Sequence, residues 1–153
     1  MSTTSYRPYS SRARAAAVSG YAAAAWALLF GAAHVYWAVG GTLGLQGNAM
    51  TGVLLAINLI AIPLCFLAAI VALALVRSWG VVVPRRLWHA AAWGAGGVLA
   101  LRGVVGLAQT VLSQEPTPLL LAAYDSWFLL GGALFFALAA SSRRTERTPA
   151  DFR

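Results

Sequence analysis

The chain has 153 residues, 60% of them hydrophobic and 10% charged, with a formal net charge of +7. An ordinary water-soluble domain of this size needs far more surface charge, so that class is excluded. The basic residues are all arginines and, Arg102 apart, lie between and outside the apolar blocks rather than along a groove or helix stripe. That is the pattern of membrane topology signals and of contact with anionic headgroups, and it argues against a nucleic-acid partner.

Residues 1–14 are polar, serine-rich and basic, and are expected to form a disordered tail. A first apolar run follows, about 15–39, too long for a signal-peptide core and followed by three more. These cover about 52–76, 87–112 and 118–140. Each exceeds the roughly 20 residues that cross about 30 Å of hydrocarbon. Thr117 and Pro118 suit the N-cap and first position of the last helix. Pro63 should kink the second. Glycines and alanines on the third and fourth runs (Gly94, Gly96, Gly97, Ala100, Gly103, Gly106, Gly131 and Gly132) suit close helix packing in lipid. Residues 141–153 form a charged tail.

Arginine occurs in the N-terminal tail, at Arg77, Arg85 and Arg86, and in the C-terminal tail, while the connections 40–51 and 113–117 have none. The positive-inside rule then places both termini and the middle connection in the cytoplasm. The fold expected is all-α, a four-transmembrane-helix bundle of residues 15–140.

Each span carries one strongly polar side chain: His34, Asn58, Arg102 and Asp125. Counted from the outer helix ends, they lie roughly 9, 9, 15 and 11 Å deep at about 1.5 Å per residue. Polar groups in hydrocarbon are costly, so their agreement in depth points to one shared interior site. Arg102 stays protonated and needs water or an anion, and Asp125 is the only acid in a span. Gln109 lies on the face of Arg102, with Gly106 leaving space between them. On the first helix Trp26, Phe30, His34 and Trp37 form one stripe. The site expected is an outward-facing pocket floored by the Arg102–Asp125 pair, walled by His34, Asn58 and Gln109, with Trp37, Tyr124 and Trp127 near its mouth. A structural ion pair, an interhelical histidine or asparagine bond, and an interfacial aromatic belt are the plainer readings of the same residues. His89 is expected at the cytoplasmic boundary, far from His34, which rules out a bis-histidine haem. The single cysteine, Cys65, permits no intrachain disulfide or CxxC pair, and no metal site or cofactor is expected.

Residues 25–45, AWALLFGAAHVYWAVGGTLGL, resemble the opening of a family of small four-helix membrane proteins, common in actinobacteria and catalogued as a domain of unknown function. His34-Val35-Tyr36-Trp37-Ala38-Val39-Gly40-Gly41 carries the likeness, with Tyr124, Asp125 and Trp127 in the last helix. The resemblance implies the fold and a bacterial cytoplasmic (inner) membrane location for a multi-pass protein, and brings no activity with it. A fold-level likeness to the emopamil-binding-protein-like sterol isomerases stops at the acids, since the spans here hold one acid and an arginine rather than several acids.

Three functions fit. The first is binding, with or without chemistry, of an amphipathic or lipid-like molecule with an anionic head on Arg102. The second is an accessory subunit packing against a larger membrane complex, and the third a small oligomeric proton-coupled transporter. The partners implied are membrane lipids and an amphipathic ligand, with homo- or hetero-oligomers left open.

Overall fold

In a computed structural model, the described residues are 11–112 and 118–146, and they form four long helices with no strand among them. These are α1 (Ser11–Ala38), α2 (Gly52–Ala74), α3 (Arg85–Leu112) and α4 (Pro118–Glu146), with a short 3-10 helix at Ser78–Val82. All four are long and apolar enough to cross a membrane. The expectations for residues 1–10 and 147–153, and for Thr117 as a cap, lie outside the described residues.

Two helices outrun their apolar stretches. α1 begins at Ser11 rather than at Ala15, so residues 11–14 belong to a helix and not to a tail, and α4 continues past Ala140 to Glu146. Hydropathy marks where hydrocarbon ends, whereas arginine and alanine are good helix formers that let the backbone continue into water. α2 stops at Ala74, earlier than the apolar run, and the chain turns through the 3-10 helix before Pro84 introduces α3. α2 runs unbroken through Pro63.

α1 packs against both α2 and α4, α3 packs chiefly on α4, and α2 meets α3 only slightly. The hydroxyls of Ser19, early in α1, and Ser141, late in α4, lie 3.1 Å apart, so these two helices are antiparallel. One end of the bundle therefore gathers the last turns of α1 and α3 and the first turns of α2 and α4.

The core sits between α1 and α4. Trp26 lies 5.1 Å from Phe30, 5.9 Å from Trp127 and 6.5 Å from Phe135, between ring centroids. Alanines such as Ala23, Ala27, Ala72 and Ala139 are fully or almost fully buried around these rings. Gly131 makes the arrangement possible, because any Cβ there would enter the Trp26 indole. In lipid such packing and close contact hold helices together, since water is not there to drive burial. Large apolar side chains on α2, among them Val53, Ile57, Ile60 and Leu64, point outward and suit a hydrocarbon surround.

α3 and α4 approach closely at Gly96 and Gly132. A Cβ on Gly132 would stand 3.0 Å from the Ala100 nitrogen and 3.1 Å from the Gly96 carbonyl oxygen. Those neighbours are backbone atoms and give way only if the helices separate. Gly132→Ala is expected to cost about 1 kcal/mol, the lower end for overpacking. Unfolding of the purified protein in graded SDS, followed by circular dichroism, measures it.

Candidate functional site

At the shared end of the bundle, α1, α3, α4 and the α1–α2 connection enclose a cavity of about 340 Å³. His34, Trp37, Arg102, Gln109, Tyr124 and Asp125 line it, together with Phe30, Phe128, Thr110 and Gly106. Leu45 and Met50 contribute from the connection, and Leu121 from α4.

The floor is an ion pair. Arg102 Nη1 donates to Asp125 Oδ1 at 2.7 Å, the short length of a charge-assisted bond. The pair is lopsided: the Asp125 side chain is 5% exposed and that of Arg102 50%. The carboxylate is therefore the group that needs its partner, while the guanidinium still faces open space. Arg102 is steadied by the Phe128 ring, with its guanidinium carbon 4.9 Å from the ring centroid. Thr110 adds a long hydroxyl bond, 3.5 Å, to Asp125 Oδ2. Gly106 is required by this geometry, since a Cβ there would overlap both the Asp125 carboxylate and Arg102 Nη1. The space that Gly106 opens is filled by the ion pair itself.

His34 is positioned by Asn58. Asn58 Nδ2 donates to the His34 backbone carbonyl at 2.8 Å, and a carbonyl can only accept. The amide oxygen must then face the ring, where Oδ1 lies 2.6 Å from Nδ1 and accepts its proton. This places a proton on Nδ1 and leaves Nε2 facing the cavity with no hydrogen bond among the described residues. Asn58 is 2% exposed and does not line the cavity; it stands behind His34 and ties α2 to α1.

Aromatic rings continue upward from the floor. Phe30 meets His34 at 4.5 Å and Phe128 at 5.1 Å, and Trp37 lies 5.4 Å from His34 and 6.4 Å from Tyr124. Trp37 and Tyr124 also hold the α1–α2 connection: Trp37 Nε1 donates to Leu43 O at 2.9 Å, and the Tyr124 hydroxyl to Gly44 O at 2.7 Å. Gly44 has φ +82° and its missing Cβ would meet that hydroxyl, so glycine is needed there on both counts.

Trp127 stands apart from the expected mouth. It is not among the cavity-lining residues and stacks on Trp26 in the core. Two residues beyond Asp125 on a helix is about 200° of rotation, which turns the side chain to another face. His89 is buried, 5% exposed, in the first turns of α3, far along that helix from the cavity. Thr110 and Phe128 were missed from sequence, although their spacings carried a signal. Phe128 follows Asp125 by three residues and Thr110 follows Gly106 by four, each on the same helical face. Among the described residues no three His, Cys, Asp or Glu side chains gather as metal ligands.

A family model described as a protein of unknown function, DUF3995, matches residues 27–135, a span that contains His34, Asn58, Arg102, Gln109 and Asp125. No curated protein and no solved structure matches the chain.

Proposed function

The chain belongs to the DUF3995 family of proteins of unknown function, and from its cavity we propose that it binds an amphipathic molecule by an anionic head, a carboxylate or a phosphate. One observation carries this reading: the Arg102 guanidinium is half exposed in the cavity and uses one of its five N–H donors on Asp125. A planar fork with donors unspent and a fixed orientation is suited to a second oxyanion. Asp125 anchors the fork and leaves the exposed side of the pair positive.

His34 Nε2 is an acceptor for a protonated head, such as a phosphate hydroxyl. Phe30, Leu45, Met50 and Leu121 supply apolar wall for the start of a tail. The volume, about 340 Å³, falls in the range of small-molecule pockets and fits a head with a short apolar segment. Arginine placement supports a bacterial cytoplasmic membrane with both termini inside, which opens the cavity toward the outer face. The reading as an accessory subunit draws on Gly94 and Gly97 of α3, where an added Cβ would meet nothing within 4 Å and another helix has room to approach.

Titration with dodecyl phosphate in maltoside micelles tests the reading, with Arg102→Lys as the variant. Lysine keeps the charge beside Asp125 but loses the fork, so affinity is expected to fall about tenfold, equivalent to ~1.4 kcal/mol, with the helical signal unchanged. Equal affinity in the two proteins, or no preference for dodecyl phosphate over an uncharged amphiphile of the same chain length, would overturn it.

A further inference from the structure

The bundle is made of two close pairs, α1 with α2 and α3 with α4, joined through α1 and α4. Toward the cavity, α2 and α3 are each committed to their own partner. Before Val71, α2 buries only Asn58, Cys65 and Ala69, one stripe at helical spacing. Asn58 bonds His34, and a Cβ on Gly31 would stand 3.2 Å from the Cys65 Cβ, so this stripe faces α1. The last turn of α2, at the far end, buries Val71, Ala72 and Ala74 together. α3 likewise buries Gly103 and Gly106 beside the cavity, where a Cβ on either would meet Asp125 of α4.

A side opening results. Among the described residues α1 and α3 scarcely touch, and α2 lines none of the cavity. The cavity therefore has α4 at its back and no helix across its front, where it continues between the α1–α2 pair and α3 as a cleft facing lipid. Toward water the α1–α2 connection narrows it with Leu45 and Met50, and Trp37 and Tyr124 pin that connection in place. The α3 wall of the cleft is apolar: Val98 and Val105 lie one turn to either side of Arg102 on its face, and both are exposed. About 340 Å³ holds a head and the start of a tail, so a longer chain has to lie outside the cavity.

We propose that the ligand is a long-chain lipid resident in the bilayer, whose anionic head seats on Arg102 while its chain leaves sideways past Val98 into hydrocarbon. This rests on the reading of Arg102 as the anchor of an anionic head, and adds the class of ligand and its route.

Photolabelling of the full chain in phosphatidylcholine nanodiscs tests it, with hexadecyl phosphate carrying a diazirine midway along its chain. The alcohol of the same chain and diazirine gives the background at every lipid-facing residue. Relative to the alcohol, the phosphate is expected to label Val98 and Val105 at least about fivefold more than Gly97 and Val104, which turn to the other side of α3. Arg102→Lys should remove most of that preference. Even labelling of the two sides, with dodecyl phosphate binding still sensitive to Arg102→Lys, would overturn the lateral route and leave the anion site standing. Even labelling without such binding would overturn both. Val98 and Val105 shielded from the alcohol as well, as a second copy or another protein seated in the cleft would leave them, would also overturn the route.

Discussion

Replacing Arg102 with leucine is expected to destabilise the protein by about 3–5 kcal/mol, the range for removing one partner of a buried ion pair. The cause is Asp125, whose side chain is 5% exposed and would be left without its charge-assisted donor. Asp125→Leu is expected to cost less, because the Arg102 side chain is 50% exposed and water in the cavity can solvate it. The double variant Arg102→Leu/Asp125→Leu should recover most of the loss, since it leaves no unpaired charge behind. SDS unfolding curves of the four proteins form a double-mutant cycle. The account requires the order wild type, double variant and Asp125→Leu, then Arg102→Leu, from most to least stable or nearly so. A single Arg102→Leu change as stable as wild type would show that the carboxylate does not depend on the guanidinium.

Gly106→Val is expected to have the next largest effect, about 3 kcal/mol, at the upper end for inserting bulk into a packed site. The first added carbon alone overlaps both members of the ion pair, so the pair must shift from its present geometry to admit it. Asp125 sits on α4 with its backbone carbonyl close to Gly103, so making space by moving α4 means breaking that close contact of the two helices. At Gly97 an added Cβ meets nothing within 4 Å, and the same substitution is expected to leave stability within about 0.5 kcal/mol of wild type. Comparing SDS midpoints of the two variants separates a local clash at the pair from a general intolerance of α3 to β-branched residues. Equal midpoints would contradict the packing described for Gly106.

The number and rough extent of the spans were legible because hydrocarbon imposes a length on apolar runs, and each run here exceeds it. Depth was legible for the same reason: counting at a fixed rise per residue brought His34, Arg102 and Asp125 to one level. Azimuth was harder. Trp127 shares the depth of Asp125 yet turns toward Trp26, while Phe128, one residue on, returns to the cavity. Helical rotation of about 100° per residue contains that distinction, but it fixes only relative directions on one helix. Which face of α4 meets α1 and which meets α3 is decided by Gly131 against Trp26 and by Gly103 and Gly132 against α3. Those are pairings between distant segments, and periodicity within one run does not encode them. Asn58 shows the same limit. Its depth was readable, whereas its service to the Nδ1 and carbonyl of His34 depends on how α1 and α2 are rotated toward each other.

Helix ends were the other gap. Helix continues past the apolar runs at residues 11–14, 85–86 and 141–146 and stops short at 75–76, so these ends follow backbone propensity and prolines rather than hydropathy. At the far end, the early stop of α2 and the start of α3 at Arg85 bring Arg77 and Arg85 to the lining of one cavity.

We propose that α1, α3 and α4 turn their polar groups into one space that admits water and favours anions. Thiol labelling tests it most directly, in a background where the single native cysteine is replaced by serine. His34→Cys lines the cavity, whereas Val35→Cys, adjacent and at nearly the same depth, is exposed on the outer face of α1. In proteoliposomes a membrane-impermeant methanethiosulfonate bearing a sulfonate is expected to label His34→Cys at least about tenfold faster than Val35→Cys, because thiolates form in water and not in lipid. It should also outpace the trimethylammonium analogue at His34→Cys, since the exposed guanidinium of Arg102 attracts the anion. Faster labelling at position 35, or a preference for the cationic reagent at position 34, would contradict the account.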